Sequence, residues 1–472
     1  MLCRWLLKIA PIQFACFVGL ALAVAGWFAS PCIAQEFSEA TQESEFVDAT
    51  VPPEPGTADP WVEIGALRSR LDQLESANAT RKAADAAKKA AAATKPTVKW
   101  SGELQVDQLW FNQDAVNKAQ FGDIENGVDF RRARIAMLGD YGPAEYRIEM
   151  DFAQSGRPTF LDVWGGFKDI PGLGRIRIGH FFEPFSLERL TSNRYQTYME
   201  RSQVDQAFAP SRQTGVAVSN TYGTDDIGTR AIGIFRTKTN AYGDDEGDGF
   251  ESSITGRMTR LAWYEDDGRR LLHLGLAGSY RFTDNNQVRF AVEPEARLGA
   301  QIPIIPYFAD TGPIAARTYQ LVGLETSLVN GPFSLQSEAT ITPVNSADYG
   351  NVLFYGWYVD ASYFLTGEYR PYDKELAIFK RVEPIRPFID YSPGNHTTFG
   401  PGAWQVGARV SQVNLSSGGI QGGKQTDLTL GLNWYFNPYA RFTLNYIHSF
   451  VNTPPGGHSN CDIFSMRYGF EF

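Results

Sequence analysis

Arg132 and Arg134 lie two residues apart in the run Asp129-Phe130-Arg131-Arg132-Ala133-Arg134-Ile135. In an extended chain, residues i and i+2 share a face, so these two point one way while Arg131, Ala133, Ile135 and Met137 point the other. By the same parity, Arg147, Lys168, Arg175, Arg177, Arg409 and Arg467 fall on polar faces of runs whose alternate residues are apolar. The chemistry open to such a set is anion recognition. A row of guanidinium groups in a narrow, partly dehydrated channel replaces an anion's hydration shell with charge-assisted, often bidentate hydrogen bonds. A charge on a lipid-facing position costs about 2 to 4 kcal/mol at mid-membrane. Arg132 and Arg134 are therefore expected inside, as principal wall contacts, and Arg131 near an interface. Arg189, Arg194, Arg201, Lys380 and Arg381 lie in long connections and extend the candidate set.

The same polar faces carry Glu103, Asp107, Glu145, Glu149, Asp151, Asp162 and Asp360. Arginines on one wall facing acids on another make a transverse field that orients polar solutes without retaining an anion. Beyond the first 96 residues, 34 Lys and Arg stand against 42 Asp and Glu, so global charge leaves anion selectivity open. Catalysis is not expected: none of the five histidines (His180, His273, His396, His448, His458) accompanies a Gly-x-Ser-x-Gly elbow or a metal-spaced partner. The Asp244 to Asp248 cluster lacks the spacing of a calcium loop. No cofactor, no metal and no nucleic-acid partner are expected.

The elements that must position these residues are strands. Phe472, Phe470, Tyr468, Met466 and Phe464 alternate with Glu471, Gly469, Arg467 and Ser465 up to the last residue. Tyr146, Ile148, Met150 and Phe152 interleave with Glu145, Arg147, Glu149 and Asp151 in the same way. Strands of roughly 10 residues, apolar outward and polar inward with aromatic girdles, are the signature of an outer-membrane barrel. Beyond residue 35 no apolar run is long enough for a spanning helix, and only a closed barrel lets strands cross lipid without open edges. Candidate strands begin near residues 98, 128, 144, 160, 174, 213, 229, 250, 270, 287, 318, 332, 353, 402, 426, 440 and 462. With both ends on one side the number must be even, and the run near 287 is the weakest because Pro294 and Pro303 to Pro306 follow it. Dropping it predicts an all-β, transmembrane antiparallel β-barrel of 16 strands. Short turns at Asn330-Gly331-Pro332 and Asn437-Pro438 then share the periplasmic side. Three long connections remain: Glu183 to Arg212 and Thr283 to Arg317 outside, and Gly367 to Pro401 in the periplasm. Their aromatic residues argue that they pack in the lumen, the first of them narrowing it.

Four segments follow. Residues 1–34 read as a signal peptide, with Arg4 and Lys8 before an apolar run and a cut ahead of Gln35. Residues 35–60 are an acidic, proline-rich disordered leader. Residues 61–96 form a short helical segment in which Ile64, Leu67, Leu71 and Leu74 trace a coiled-coil seam, either a spacer or the stalk of a trimer. Residues 97–472 are the barrel. Three of the four cysteines leave with the signal, so Cys461 alone remains in the mature chain.

Several stretches resemble the phosphate-selective porin O and P family. They are Asp129 to Ile135, Arg175-Ile176-Arg177-Ile178-Gly179-His180-Phe181-Phe182-Glu183-Pro184-Phe185-Ser186-Leu187-Glu188, Tyr363 to Tyr372, and Gly402-Ala403-Trp404. The resemblance implies a homotrimer of sixteen-stranded barrels in the cell outer membrane, with two outer loops and one periplasmic turn folded into each pore. It also implies pore-lining arginines and lysines that bind an anion, phosphate among them. The terminal aromatic residue resembles the address shown to the barrel assembly machinery. The expected function is passive diffusion of small hydrophilic or anionic solutes. A non-selective pore, and a structural barrel tethered to the cell wall by its coiled coil, are the alternatives.

Overall fold

The computed structural model describes residues 60–93, 95–153, 157–240, 242–244, 249, 251–299, 305–390 and 397–472. The expected signal peptide and all but the last residue of the acidic leader lie outside these residues, as do Asp245 to Asp248 and His396. The chain divides into two units, residues 1–80 and 81–472. Helix α1, Pro60–Ala93, contains Ile64, Leu67, Leu71 and Leu74, all of them exposed.

Sixteen strands form the barrel wall. They are β1 Lys99–Gln113, β2 Gly127–Tyr141, β3 Ala144–Asp151, β4 Thr159–Ile170, β5 Gly174–Phe182 and β6 Arg212–Tyr222. Next come β7 Gly228–Arg236, β8 Ser252–Glu265, β9 Arg270–Phe282, β10 Ile314–Asn330 and β11 Phe333–Ser346. The last five are β12 Gly350–Phe364, β13 Ala403–Ser417, β14 Ile420–Asn437, β15 Ala440–Thr453 and β16 Gly457–Glu471. Each pairs antiparallel with its neighbours, and β16 closes on β1 from Glu103↔Glu471 to Gln113↔Cys461. Closure leaves no unpaired edge, as lipid requires. The weak run near 287 contributes only Gln287–Val288, paired with the start of β10.

The period-2 pattern sets which side chain meets which solvent. On β7, Ile232 and Ile234 face outward, while Phe235 is buried inside. On β16, Phe464, Tyr468 and Phe470 are exposed, whereas Arg467 and Ser465 are shut in the lumen. The rim that carries the start of β1 and the end of β16, here the terminal rim, holds the two turns expected from the sequence. Gly331 (φ +59) before Pro332 and the Asn437-Pro438-Tyr439 turn are both there. At this rim Trp404 and Trp434 stack at 4.9 Å, and both indole N–H groups donate to the Pro401 carbonyl at 3.0 Å. Such a belt fits amphipathic rings that have one apolar and one wet side.

Three long connections fill much of the interior: residues 183–211 and 283–313 from the opposite rim, and 365–402 from the terminal rim. Phe185, Val204 and Phe208 of the first pack with Val288, Phe290 and Val292 of the second against Phe354 and Tyr358 of β12. Leu187 meets Tyr372 and Phe379 of the third. These clusters replace water in that part of the lumen, so the connections are fixed by apolar burial as well as by ion pairs.

Arg131 departs from the expectation drawn from parity. Gln105 pairs with Arg132 and Val106 with Phe130, so Arg131 is the extra residue of a β-bulge. Phe130 points out and is exposed, while Arg131 turns inward beside Arg132 and binds Glu200 through Nε and Nη2 at 2.8 and 2.9 Å. It sits in the lumen, not at a lipid interface.

Candidate solute pathway

The 183–211 connection is held across the lumen by carboxylates. Glu183 accepts from Ser253 Oγ at 3.0 Å and from Arg281 Nη1 at 2.7 Å. Ser186, at φ 68, caps helix α2 (Leu187–Leu190), its Oγ accepting from Arg189 N. Glu338 of β11 accepts from the backbone N–H groups of Leu187 and Glu188 at 3.1 and 2.7 Å. Glu188 lies 3.1 Å from Arg409 Nη1, and Glu200 pairs with both Arg131 and Arg467 at 2.8 and 2.7 Å. Burial raises the Glu188 carboxyl to about 7 despite the Arg409 guanidinium. For Glu200 burial is outweighed by Arg131, Arg132 and Arg467, which hold its carboxyl well below the usual carboxylate range.

Against these anchors, the expected wall contacts sort into two sets. Arg132 is bonded to Gln105 Oε1 at 2.6 Å and lies 3.7 Å from Glu200; Arg134 pairs with Glu103 at 2.9 Å and Asp151 at 2.7 Å. Arg409 and Arg467 have side chains only 1% exposed. These arginines are engaged in holding the loops. Arg194 likewise pairs with Glu103, and Arg381 with Glu471 at 2.7 Å. Arg194, Arg381, Tyr439, Glu103 and Glu471 line a recess at the terminal rim. Lys380 is exposed next to Arg381.

The wet set lies on β3 to β6. Glu145 lies 2.9 Å from Arg175 and 3.9 Å from Arg177; Asp162 lies 2.9 Å from Arg212 and 3.6 Å from Arg147. Arg147 also pairs with Glu149 at 2.8 Å. The Arg147 and Arg177 side chains are each 29% exposed, which puts them, unlike Arg409, within reach of a solute. Arg175 Nε and Glu145 Oε1 are close but misaligned for a hydrogen bond. Toward the terminal rim, Lys168 continues the row, paired with Asp140 at 2.9 Å. Toward the 183–211 connection, Arg212, Arg189 and Arg201 surround the Phe182 ring at 3.9, 5.9 and 5.9 Å. Burial lowers Arg201 to about 10 against the pull of Asp205, which also lies 3.0 Å from Arg189.

Small residues flank this row. Gly166, opposite Arg177, has no space for a Cβ, which would fall 2.2 Å from the Ile176 carbonyl oxygen. Gly215, Ala217 and Ser219 follow on the inward face of β6, opposite Gly179, Arg177 and Arg175. Sequence reasoning missed Arg212, Trp164 and Phe182. Arg212 was the last residue of a predicted connection, and its pairing with Asp162 is what joins it to the row. Trp164, with Arg177 4.4 Å above its ring, had the right parity to be found.

A closed sixteen-stranded barrel whose long connections fold inward beside a row of partly exposed charged side chains on one wall is an outer-membrane channel for small solutes. The sequence model of the family "Phosphate-selective porin O and P" matches residues 98–472. The chain belongs to that family. It is 24% identical over 412 residues to Porin O of Pseudomonas aeruginosa, covering 79% of this chain and 88% of that protein. It is 27% identical over 328 residues to an uncharacterised protein of Caulobacter vibrioides, covering 68% of this chain and 62% of that relative's length. Among solved structures, the anion-selective porin from Comamonas acidovorans superposes with a TM-score of 0.50 at 14% identity, over 80% of this chain and all of that one.

Proposed function

We propose that this chain passes small anions, inorganic phosphate among them, by passive diffusion along the β3 to β6 wall. The observation that carries this reading is the charge of the lining. Six arginines (Arg147, Arg175, Arg177, Arg189, Arg201, Arg212) meet five carboxylates (Glu145, Glu149, Asp162, Asp205, Glu375) along one wall. The excess is cationic, and the Arg147 and Arg177 guanidinium groups are partly open to solvent. In a narrow low-dielectric passage such donors stabilise an anion strongly enough to admit it and loosely enough to hand it on. The family's name points the same way. The test is reversal potential in a salt gradient, where anion preference sets the sign.

A second reading, a pore without strong ion preference, is favoured by one fact: each of these arginines has a carboxylate within 4 Å. Equal conductance for phosphate and for a cation of similar size would support it.

The working form is read as a trimer exported by a cleaved leader near Ala34, its terminal rim in the periplasm, folded by the barrel assembly machinery. Polar groups on the outer face of β1, β15 and β16 support a subunit contact there. His448 Nδ1 lies 2.6 Å from Asp462 Oδ1, Tyr446 donates to the same oxygen at 2.7 Å, and Asn112 joins them. Lipid is a poor partner for such a cluster, and a second barrel is a better one. The exposed seam of α1 suits association with other copies or with the cell wall. No catalytic role forms part of this reading. Crosslinking of the purified protein, with and without residues 61–96, tests the trimer.

A further inference from the structure

We infer that the outer face of β7 and β8 carries a binding site for the phosphate of an anionic phospholipid, built on Arg230 and Arg260. Both arginines are exposed and share a face with Ile232, Ile234, Ile254 and Met258, the greasy outside of the wall. Their neighbours on the inward face, Thr229, Thr255, Arg257 and Thr259, are buried. Register places the two side by side: Gly228 opposes Arg260 and Arg230 opposes Met258. They are therefore diagonal neighbours on one surface.

Neither has a carboxylate or hydrogen-bond partner among the described residues. Asp225 and Asp226, in the adjoining turn, are exposed and pair with neither. The contrast within β7 is instructive, because Arg236 at its other end lies 3.6 Å from Glu251. Two uncompensated guanidinium groups next to hydrocarbon are costly unless something negative meets them. Their height identifies it. Arg230 and Arg260 stand at the terminal-rim end of the belt, beside the 223–227 turn, with the apolar run on the side away from that rim. That is the depth of a headgroup, and the acyl chains then lie along Ile232, Ile234, Ile254 and Met258.

The platform is shaped to match. The Tyr222 ring lies across Gly228, where a Cβ would fall 2.3 Å from Tyr222 Cζ, and its hydroxyl donates to Thr259 O at 2.8 Å. An aromatic floor thus abuts Arg260. In a ring of sixteen strands, β7 and β8 sit across from β1 and β16, the face with the His448 and Asp462 cluster, which leaves them to lipid.

The test is native mass spectrometry of the detergent-solubilised full barrel with phosphatidylglycerol, phosphatidylcholine or inorganic phosphate. The R230Q/R260Q double variant should bind the first phosphatidylglycerol about tenfold more weakly, with phosphatidylcholine binding unchanged. R230K/R260K should recover most of the loss, and it also serves if the glutamine variant does not fold. Equal phosphatidylglycerol binding by folded wild type and glutamine variant overturns the site. Displacement of the lipid by inorganic phosphate at low millimolar concentration overturns the lipid assignment, and dissociation of an oligomer in the glutamine variant overturns the lipid-facing placement.

Discussion

Arg409 of β13 and Glu295 of the 283–313 connection meet through two hydrogen bonds, Nε to Oε2 at 2.8 Å and Nη2 to Oε2 at 2.5 Å, with both side chains closed to water. Glu295 also accepts from Ser411 Oγ and Thr429 Oγ1, each at 2.5 Å, and Arg409 reaches Glu188 of the 183–211 connection. One arginine thus ties two inward-folded connections to the wall.

Removing one partner of a buried pair leaves an uncompensated charge, at about 3 to 5 kcal/mol. Arg409→Met is therefore expected to lower the urea midpoint of unfolding, followed by the gel shift of heat-modifiable barrels, and to add flicker to single-channel records. An unchanged midpoint would show that the apolar cluster of Phe185, Phe208 and Phe290 suffices to hold the connections.

The bulge at Arg131 makes a separable prediction. Its bidentate bond to Glu200 is one of two strong links between that carboxylate and the wall, Arg467 making the other at 2.7 Å. Hydrogen bonds to charged groups contribute about 1.5 to 3 kcal/mol each. Arg131→Ala should free the 196–202 stretch and raise open-state noise, with little effect on ion preference because the residue is not on the β3 to β6 row. Current recordings in planar bilayers measure both quantities.

Much of the fold was legible in the sequence, and the reason is physical. Lipid outside and water inside impose a strict period of two, so Tyr146 to Phe152 or Phe464 to Phe472 could be read residue by residue. The weak run near 287 failed because prolines cannot serve a central ladder. The inward loops were visible through their stranded aromatic residues, Phe208 and Phe290 among them. What stayed hidden needed partners distant in the chain. A bulge shifts parity by one without a sequence mark, which is why Arg131 was misplaced. The burial of Arg409 depends on Glu295 and Glu188, and that of Arg467 on Asp107 and Glu200. Nothing in the local sequence around either arginine distinguishes an anchor from a solute contact.

The recess at the terminal rim should act by long-range attraction. Arg381 lies beside Arg194, with Glu471 as their shared acid at 2.7 and 3.8 Å, and exposed Lys380 follows it in the chain. Lys380→Ala with Arg381→Ala should reduce anion conductance at about 0.1 M salt and leave it nearly unchanged at about 1 M, as the screening length falls from about 10 to 3 Å. A loss equally large in high salt would mean that these residues bind the solute directly.

The most direct test concerns Arg147, Arg175 and Arg177. In a potassium chloride gradient across a planar bilayer, the wild-type channel should give a reversal potential of anion-preferring sign, and millimolar phosphate should reduce its chloride current. Changing the three to Gln, while leaving Arg131, Arg409 and Arg467 in place, should move the reversal potential to cation preference and abolish the phosphate block. The same reversal potential in the triple variant as in the wild type would contradict the account.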